Sequence, residues 1–447
     1  MRERDLRKQA LESGKTVSRA ARSKLNTPSS SRANSATPSR VGSRVPSRNV
    51  SDDEDGLSDT TQWSSASIDE MLSPTEEKEE APEIWTGILD DRINEICDRK
   101  RSSMQGREEA LQGFAVLLTR HYALEQLRGK TDELVTAMLK SVKAAQSERE
   151  VALALKALAL LLVTDPSDAV YDALAGPVKT CISDSQHSAA KVAGIHCLGV
   201  ATFYGGASLE ETAETMEFFL DIVSSDGALV EETDNGEVVT AAIEEWGFLA
   251  TQIEDMEDAT EAAMDTFVDQ LESANPEVQI AAGDAIALLY EKSYTDAESD
   301  DEPAEDSDDD SDDVNNHRDG PRMIKRYTVY RQQHLLLQTL TALSKASSKR
   351  LSKKDRKQLH MTFTDILHTV EKPTRGPRYS TALDEDGREM GSRMKVAVYG
   401  GGRMTIDRWW KLQRMNGLKR LLGEGFLVHF QGNPVVFEGL PVFVEEG

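Results

Sequence analysis

The chain has 447 residues, room for two or three domains, yet only 38% are hydrophobic and the mean hydropathy is -0.49, so part of it cannot build a core. A formal charge of -26 argues against nonspecific nucleic-acid binding by the whole chain, but the average hides an asymmetry: residues 1–50 are net +9, residues 51–317 net -46 and residues 318–420 net +15. Three cysteines (Cys97, Cys181, Cys197) are too few for a disulfide framework, which points to a reducing compartment, cytoplasmic or nuclear.

Residues 1–82 read as a disordered tail, basic and then acidic, rich in Ser, Thr, Pro and Arg. Its Arg- and Ser-rich start has the look of a transit peptide, but Glu3, Asp5 and Glu12 count against import. Thr27-Pro28, Thr37-Pro38 and Ser73-Pro74 suit proline-directed kinases, and Ser51-Asp52-Asp53-Glu54 an acid-directed one. Phosphate on the basic half would reverse its local charge.

Residues 83–294 change to helical periodicity and repeat themselves. Val278, Ala281, Ala282, Ala285, Ile286, Ala287 and Leu289 have counterparts 40 residues earlier at Val238, Ala241, Ala242, Glu245, Trp246, Gly247 and Leu249. Earlier copies place the equivalent small residue at 110, 154 and 194, so successive steps are 44, 40, 48 and 40 residues. That period belongs to two-helix HEAT or armadillo units, in which small residues on the second helix let neighbouring backbones approach. A first helix over 207–224 is expected to cover the outside, and Asn275-Pro276 to start the last second helix. An unrelated all-α bundle is the alternative on periodicity alone. The longest near-apolar run, 151–163, is too short for a bilayer and holds Lys156.

Residues 295–320 form an acidic loop, with 12 Asp/Glu among residues 296–313. They read as a solvating spacer, with an intramolecular decoy for the basic segment that follows as the alternative. Residues 321–447 read as a small, mostly helical C-terminal module with a basic surface. Ser352 is expected to cap a helix running to about Glu371, with Leu359, Phe363, Ile366, Leu367 and Val370 on one arc and Lys353, Lys354, Lys357 and His360 on the other. A second amphipathic helix is expected over 405–422, with Ile406, Trp409, Trp410 and Leu421 on one face and Arg408, Lys411 and Lys419 on another. Gly423 and Gly425 end it, and the β-branched, aromatic residues 426–444 read as an extended segment or hairpin.

No motif for catalysis emerges. There is no phosphate-binding loop, Gly400-Gly401-Gly402 reads as a turn, and no serine lies in a nucleophile elbow. Cys181, His187, His196 and Cys197 fit no zinc spacing, and Cys197 occupies an Ala-like repeat position, as a packed thiol would. His360 and His368 read as polar-face residues. The expectation is no enzyme, no cofactor, no metal and no small-molecule substrate. Seven Lys/Arg within 345–357, and the basic residues of 403–420 interleaved with Trp, suit phosphate contact and base stacking. A soluble helix face and a core tryptophan are the plainer readings. The candidate polyanion contacts are Lys349, Arg350, Lys353, Lys354, Lys357, Arg408, Lys411 and Lys419.

Three stretches resemble the interferon-related developmental regulator family. Residues 281–291 (AAGDAIALLYE) are similar to that family's IAAGE-x-LALLFE. Asp355-Arg356-Lys357-Gln358, with Phe363-x-Asp365-Ile366-Leu367-x-x-Val370-Glu371, is similar to its KRKQR-x-x-FRD-x-L-x-x-VE. Gly402-Arg403-Met404-Thr405-Ile406-Asp407-x-Trp409, Leu422-Gly423-x-Gly425-Phe426 and Val436-Phe437-Glu438 are similar to its ERM-x-I-D-x-W, LGSGM and VFELG.

The resemblance implies an armadillo-like α-solenoid with a small C-terminal domain and no enzymatic activity. It further implies either ribosome association with control of translation, or nuclear co-regulation through histone deacetylase complexes. The 296–320 insert is more acidic than the family pattern. The family's animal members continue into a long basic tail where this sequence stops at Gly447, so docking on ribosomes without blocking them is expected. The fold expected is therefore all-α: a HEAT/armadillo-like solenoid whose groove binds protein, with a basic module touching ribosomal RNA and no membrane attachment.

Overall fold

The computed structural model describes residues 82–99, 102–296, 323–345, 353–383, 387, 389–392, 394–397, 403–441 and 444–445. Residues 1–81 of the tail, 297–320 of the acidic loop, Ser352 and the glycine triplet lie outside the described residues, whereas Pro82 already opens a helix and residues 295–296 belong to a strand.

Helices pair as the period requires. The chain runs through α1 (Pro82–Cys97), α2 (Met104–Arg120), the single turn α3 (Leu124–Leu127), α4 (Thr131–Ala144), α5 (Glu148–Thr164), α6 (Val170–Asp184), α7 (Ser188–Tyr204), α8 (Leu209–Ser224), α9 (Gly236–Ala250), α10 (Glu257–Gln270) and α11 (Pro276–Lys292). Helices α1/α2, α4/α5, α6/α7, α8/α9 and α10/α11 pack as pairs, and the second helices α2, α5, α7, α9 and α11 pack on one another in a row. The repeat's small residues Ala110, Ala154, Gly194, Ala242 and Ala282 are all buried along that row. In α5 every residue from Val151 to Thr164 is buried, as a helix enclosed by neighbours on all sides must be.

Local signals set the boundaries. Ser208 and Glu211 form a reciprocal capping box at α8. Asn235 and Asn275 accept backbone N–H groups at the starts of α9 and α11, and Pro276 occupies the first turn of α11.

The row does not stop at residue 294. Antiparallel strands β1 (Tyr294–Asp296) and β2 (Met323–Lys325) pair on either side of residues 297–322. Two further helices follow, α12 (Gln333–Lys345) and α13 (Lys353–Glu371), packed together and, through α13, on α11. This is a sixth pair. Phe363 and Ile366 reach the α11 backbone at Gly283, where an added Cβ would lie 2.5 Å from Ile366 Cδ1, so the approach needs glycine.

The remainder departs from the expected helix and hairpin. Strands β3 (Tyr379–Leu383) and β4 (Glu389–Ser392) form one antiparallel pair, and β5 (Met394–Ala397), β6 (Arg403–Ile406) and β7 (Val444–Glu445) a small antiparallel sheet of order β5-β6-β7. The basic helix α14 (Trp409–Leu422) therefore begins four residues later than its amphipathic pattern predicts, because Thr405 and Ile406 belong to β6. Residues 426–439 form two short helices, α15 (Phe426–Gly432) and α16 (Pro434–Gly439), rather than strands. The Asn433 side chain caps α16 with Pro434 behind it, a local start signal that outweighs β propensity. No described helix is long and apolar enough to cross a membrane.

Candidate interaction surface

Helices α14 to α16 form a strap lying across the second-helix row. α14 packs on α9 and α11 and reaches α5, the turn Gly423–Gly425 sits on α2, and α16 returns to α5. The row expected to offer a protein-binding groove is thus overlain by the chain's own C-terminal helices.

Polar side chains of the strap meet carbonyls left open where helices end. His429, fully buried, donates from Nε2 to Leu118 O at 2.7 Å, and Asn433 donates to Val163 O at 2.9 Å. Arg414 bonds Thr251 Oγ1 at 2.9 Å and Gly439 O at 2.8 Å while lying over the rings of Phe203 and Trp410. Leu118 O, Val163 O and Gly439 O are last-turn carbonyls that a helix cannot satisfy internally, and Thr251 is the C-cap residue of α9. In return, Lys156 Nζ donates to Arg420 O at 2.9 Å, a cation at the C-terminal end of α14. The start of α14 is capped from α11: Glu291 accepts the backbone N–H of Trp409 at 2.8 Å and of Trp410 at 3.0 Å.

The candidate cations separate into three groups. Lys349 and Arg350 lie outside the described residues, and Lys353 and Lys354 open α13 with side chains that are likewise not described. Lys357, one turn further on, is exposed. The three on or beside α14 are less available. Lys411 is 2.7 Å from Asp407 and lies over the Trp410 ring, with its side chain 15% exposed. Lys419 is half-buried over Phe426, and burial lowers its pKa. Arg408 is half-buried at the N-cap of α14. Trp409 is a core anchor, 1% exposed, donating from Nε1 to Thr369 Oγ1 at 2.8 Å, while Trp410 is half-buried.

A charge cluster ties the strap to the row. Arg420 contacts Glu244 at 2.9 Å and Glu245 at 2.7 Å, and His196 Nδ1 lies 2.8 Å from the same Glu245. Burial alone would raise the Glu245 carboxyl; the Arg420 and His196 contacts outweigh it and hold the group below the usual carboxylate range. Burial pushes the Cys181 thiol up to about 11 and raises Cys197 further, so both are inert thiols at neutral pH. Among the described residues, no group of three or more His, Cys, Asp or Glu is placed to hold a metal ion.

Arg414, Arg420 and Glu245 went unread in the sequence. One signal was present: Glu245 stands where the neighbouring repeats carry Cys197 and Ala285, a charge at a core position.

A sequence model of the interferon-related developmental regulators matches residues 50–371, which ends with the last residue of α13. The chain belongs to that family. An uncharacterized protein of Schizosaccharomyces pombe is 27% identical over 391 residues, covering 86% of this chain and 81% of its own. Pig interferon-related developmental regulator 1 is 23% identical (80% of this chain, 72% of its own), and mouse interferon-related developmental regulator 2 is also 23% identical (80% and 78%). The family match takes in all six helix pairs and stops before the strap, whereas the pairwise matches cover more of this chain.

Proposed function

We propose that this family member is a non-enzymatic helical-repeat adaptor that associates with ribosomes and regulates translation through the basic start of α13 and the segment before it. The carrying observation is the position of Lys357. It is exposed on a helix whose opposite arc, Leu359, Phe363, Ile366 and Val370, is buried against the row, and it lies within the run of seven Lys/Arg over 345–357. Such cations supply phosphate contacts whose strength falls with salt.

Sucrose-gradient sedimentation tests this. The wild type co-sediments with ribosomes at low salt, and reversing Lys353, Lys354 and Lys357 to Glu shifts it to the top of the gradient. Replacing the three cations lowers the log–log salt slope of binding by about 2 to 3. A wild type that stays at the top at low salt defeats the proposal.

One observation favours a second reading, a nuclear co-regulator scaffold that recruits chromatin-modifying (histone deacetylase) complexes. The outward faces of α8 and α10 expose Glu210, Glu214, Glu217, Glu257, Glu261 and Asp265, a surface suited to basic proteins and repellent to RNA. Nuclear enrichment with co-purified chromatin modifiers supports it, and exclusively cytosolic fractionation removes it.

A further inference from the structure

A cleft of about 150 Å³ opens where α9, α11, α13 and α14 meet. Four carboxylates line it: Glu244 on α9, Glu277 and Asp284 on α11, and Asp365 on α13. Two have partners, since Glu244 meets Arg420 and Asp365 is faced by Arg378, whose backbone N–H it accepts. The side chains of Glu277 and Asp284 have no hydrogen-bond or ion-pair partner among the described residues. Burial, then the charges of Glu244 and Asp365, push Asp284 up to about 8; burial, then Glu244 and Glu237, push Glu277 up to about 7. Thr240 lines the same cleft, is 3% exposed, and its hydroxyl is also without a partner. Buried polar groups are otherwise matched in folded proteins, so the buried Thr240 hydroxyl, with the half-buried and likewise unpartnered Glu277 and Asp284 beside it, marks the place of a donor.

The donor has a recognisable shape. The carboxylates are too dispersed to form a metal site. The volume falls below the roughly 300 Å³ of a small-molecule pocket and suits a single side chain. Ile280, Met361 and Leu412 give apolar walls for an aliphatic stem. A planar guanidinium, with five N–H donors spread over a fork, reaches separated acceptors as a compact ammonium does not. We propose that this cleft receives an arginine side chain from a partner protein, its guanidinium donating to Glu277, Asp284 and the Thr240 hydroxyl.

The inference is independent of the ribosome reading, which concerns phosphate contacts at the other arc of α13. The test uses the full chain and a fluorescent, end-capped Gly-Arg-Gly tripeptide, followed by anisotropy. Saturable binding is expected, weakened at least about tenfold when citrulline replaces arginine and by a similar factor in Asp284→Asn, with Glu277→Gln weaker by a smaller factor. Thr240→Val, which keeps the shape and removes the hydroxyl, also weakens it. Glu261→Gln on the outer face of α10 leaves binding unchanged and controls for general charge attraction. Asp284→Asn does not lower the thermal midpoint, because it removes an unmatched, half-buried acid, so lost binding in that variant is not lost folding. Citrulline binding as well as arginine, Asp284→Asn binding as well as the wild type, or no saturation by about 10 mM overturns the proposal.

Discussion

Two ends of the helix row handle buried acid in opposite ways. At the α2/α5 end, Glu150 is completely buried, and Arg107 and Arg99 meet it at 2.8 and 3.3 Å. Burial alone would raise its carboxyl, but the Arg107 and Ser141 hydrogen bonds and the two guanidinium charges hold it below the ordinary range. At the α9/α11/α13 end, Glu277 and Asp284 are pushed the other way, because the two guanidiniums facing their cleft, Arg420 and Arg378, are engaged by Glu244 and Asp365. The contrast separates two jobs. An acid that fixes the fold arrives with its cation from the same chain, while an acid held uncompensated costs stability and is available to a group from outside.

Exchanging the two conditions gives the largest effect. Arg420→Met removes the cation shared by Glu244 and Glu245, turning a matched cluster into an unmatched one and loosening α14 from α9. A loss of about 4 kcal/mol is expected in urea denaturation, and a loss under about 1 kcal/mol would make the cluster an ornament of the fold. Glu150→Ala strands Arg99 and Arg107 at the opposite end, where their greater exposure limits the loss to about 3 kcal/mol. Because the folded-state pKa of Glu150 is depressed, its contribution is present above the unfolded carboxylate pKa and disappears as pH falls through the folded value.

Asp284→Asn acts with the opposite sign. Its folded pKa is raised to about 8, so its contribution is greatest below the unfolded value, near 4, and is lost as pH rises toward 8. Glu277, raised to about 7, and Asp365, raised to about 6, add to the same trend. The other charges facing the cleft are Glu244 and Glu237 on α9, Arg420 on α14 and Arg378 after α13. The variant therefore gains at least about 1 kcal/mol over the wild type at pH 8 and little at pH 4, read from denaturation midpoints across that range. A pH-independent difference would place the effect in packing. Smallest of all is Lys357→Glu, which leaves stability within about 0.5 kcal/mol and lowers the salt slope of the proposed ribosome binding by about 1.

Several particulars of the fold were legible in the residues. The positions 110, 154, 194, 242 and 282 recur because two helix backbones can approach only where side chains are small, and all five are buried. The arc Leu359, Phe363, Ile366 and Val370 was equally readable as a buried face, but not what it faces, since its partner α11 lies across the acidic insert. Residues 426–439 misled, because Phe426, Phe430 and Val436 favour strands in isolation yet bury as short helices once His429 and Asn433 are bonded to α2 and α5. Among the candidate cations, helical spacing placed Lys357 correctly at the surface. It gave no hint that Lys411 would be held by Asp407 or Lys419 desolvated beside Phe426.

The sequence by itself determined the stack of helix pairs, because periodicity, capping and the need for small residues at close approaches all act within a few turns of chain. Tertiary structure alone decided which carboxylates have cations. Glu150 and Arg107 are 43 residues apart, and Glu245 and Arg420 are 175 apart. Coulombic pairing depends on distance in space and on the water excluded between the groups, and in an acid-rich chain a matched glutamate and an unmatched one are written with the same letter.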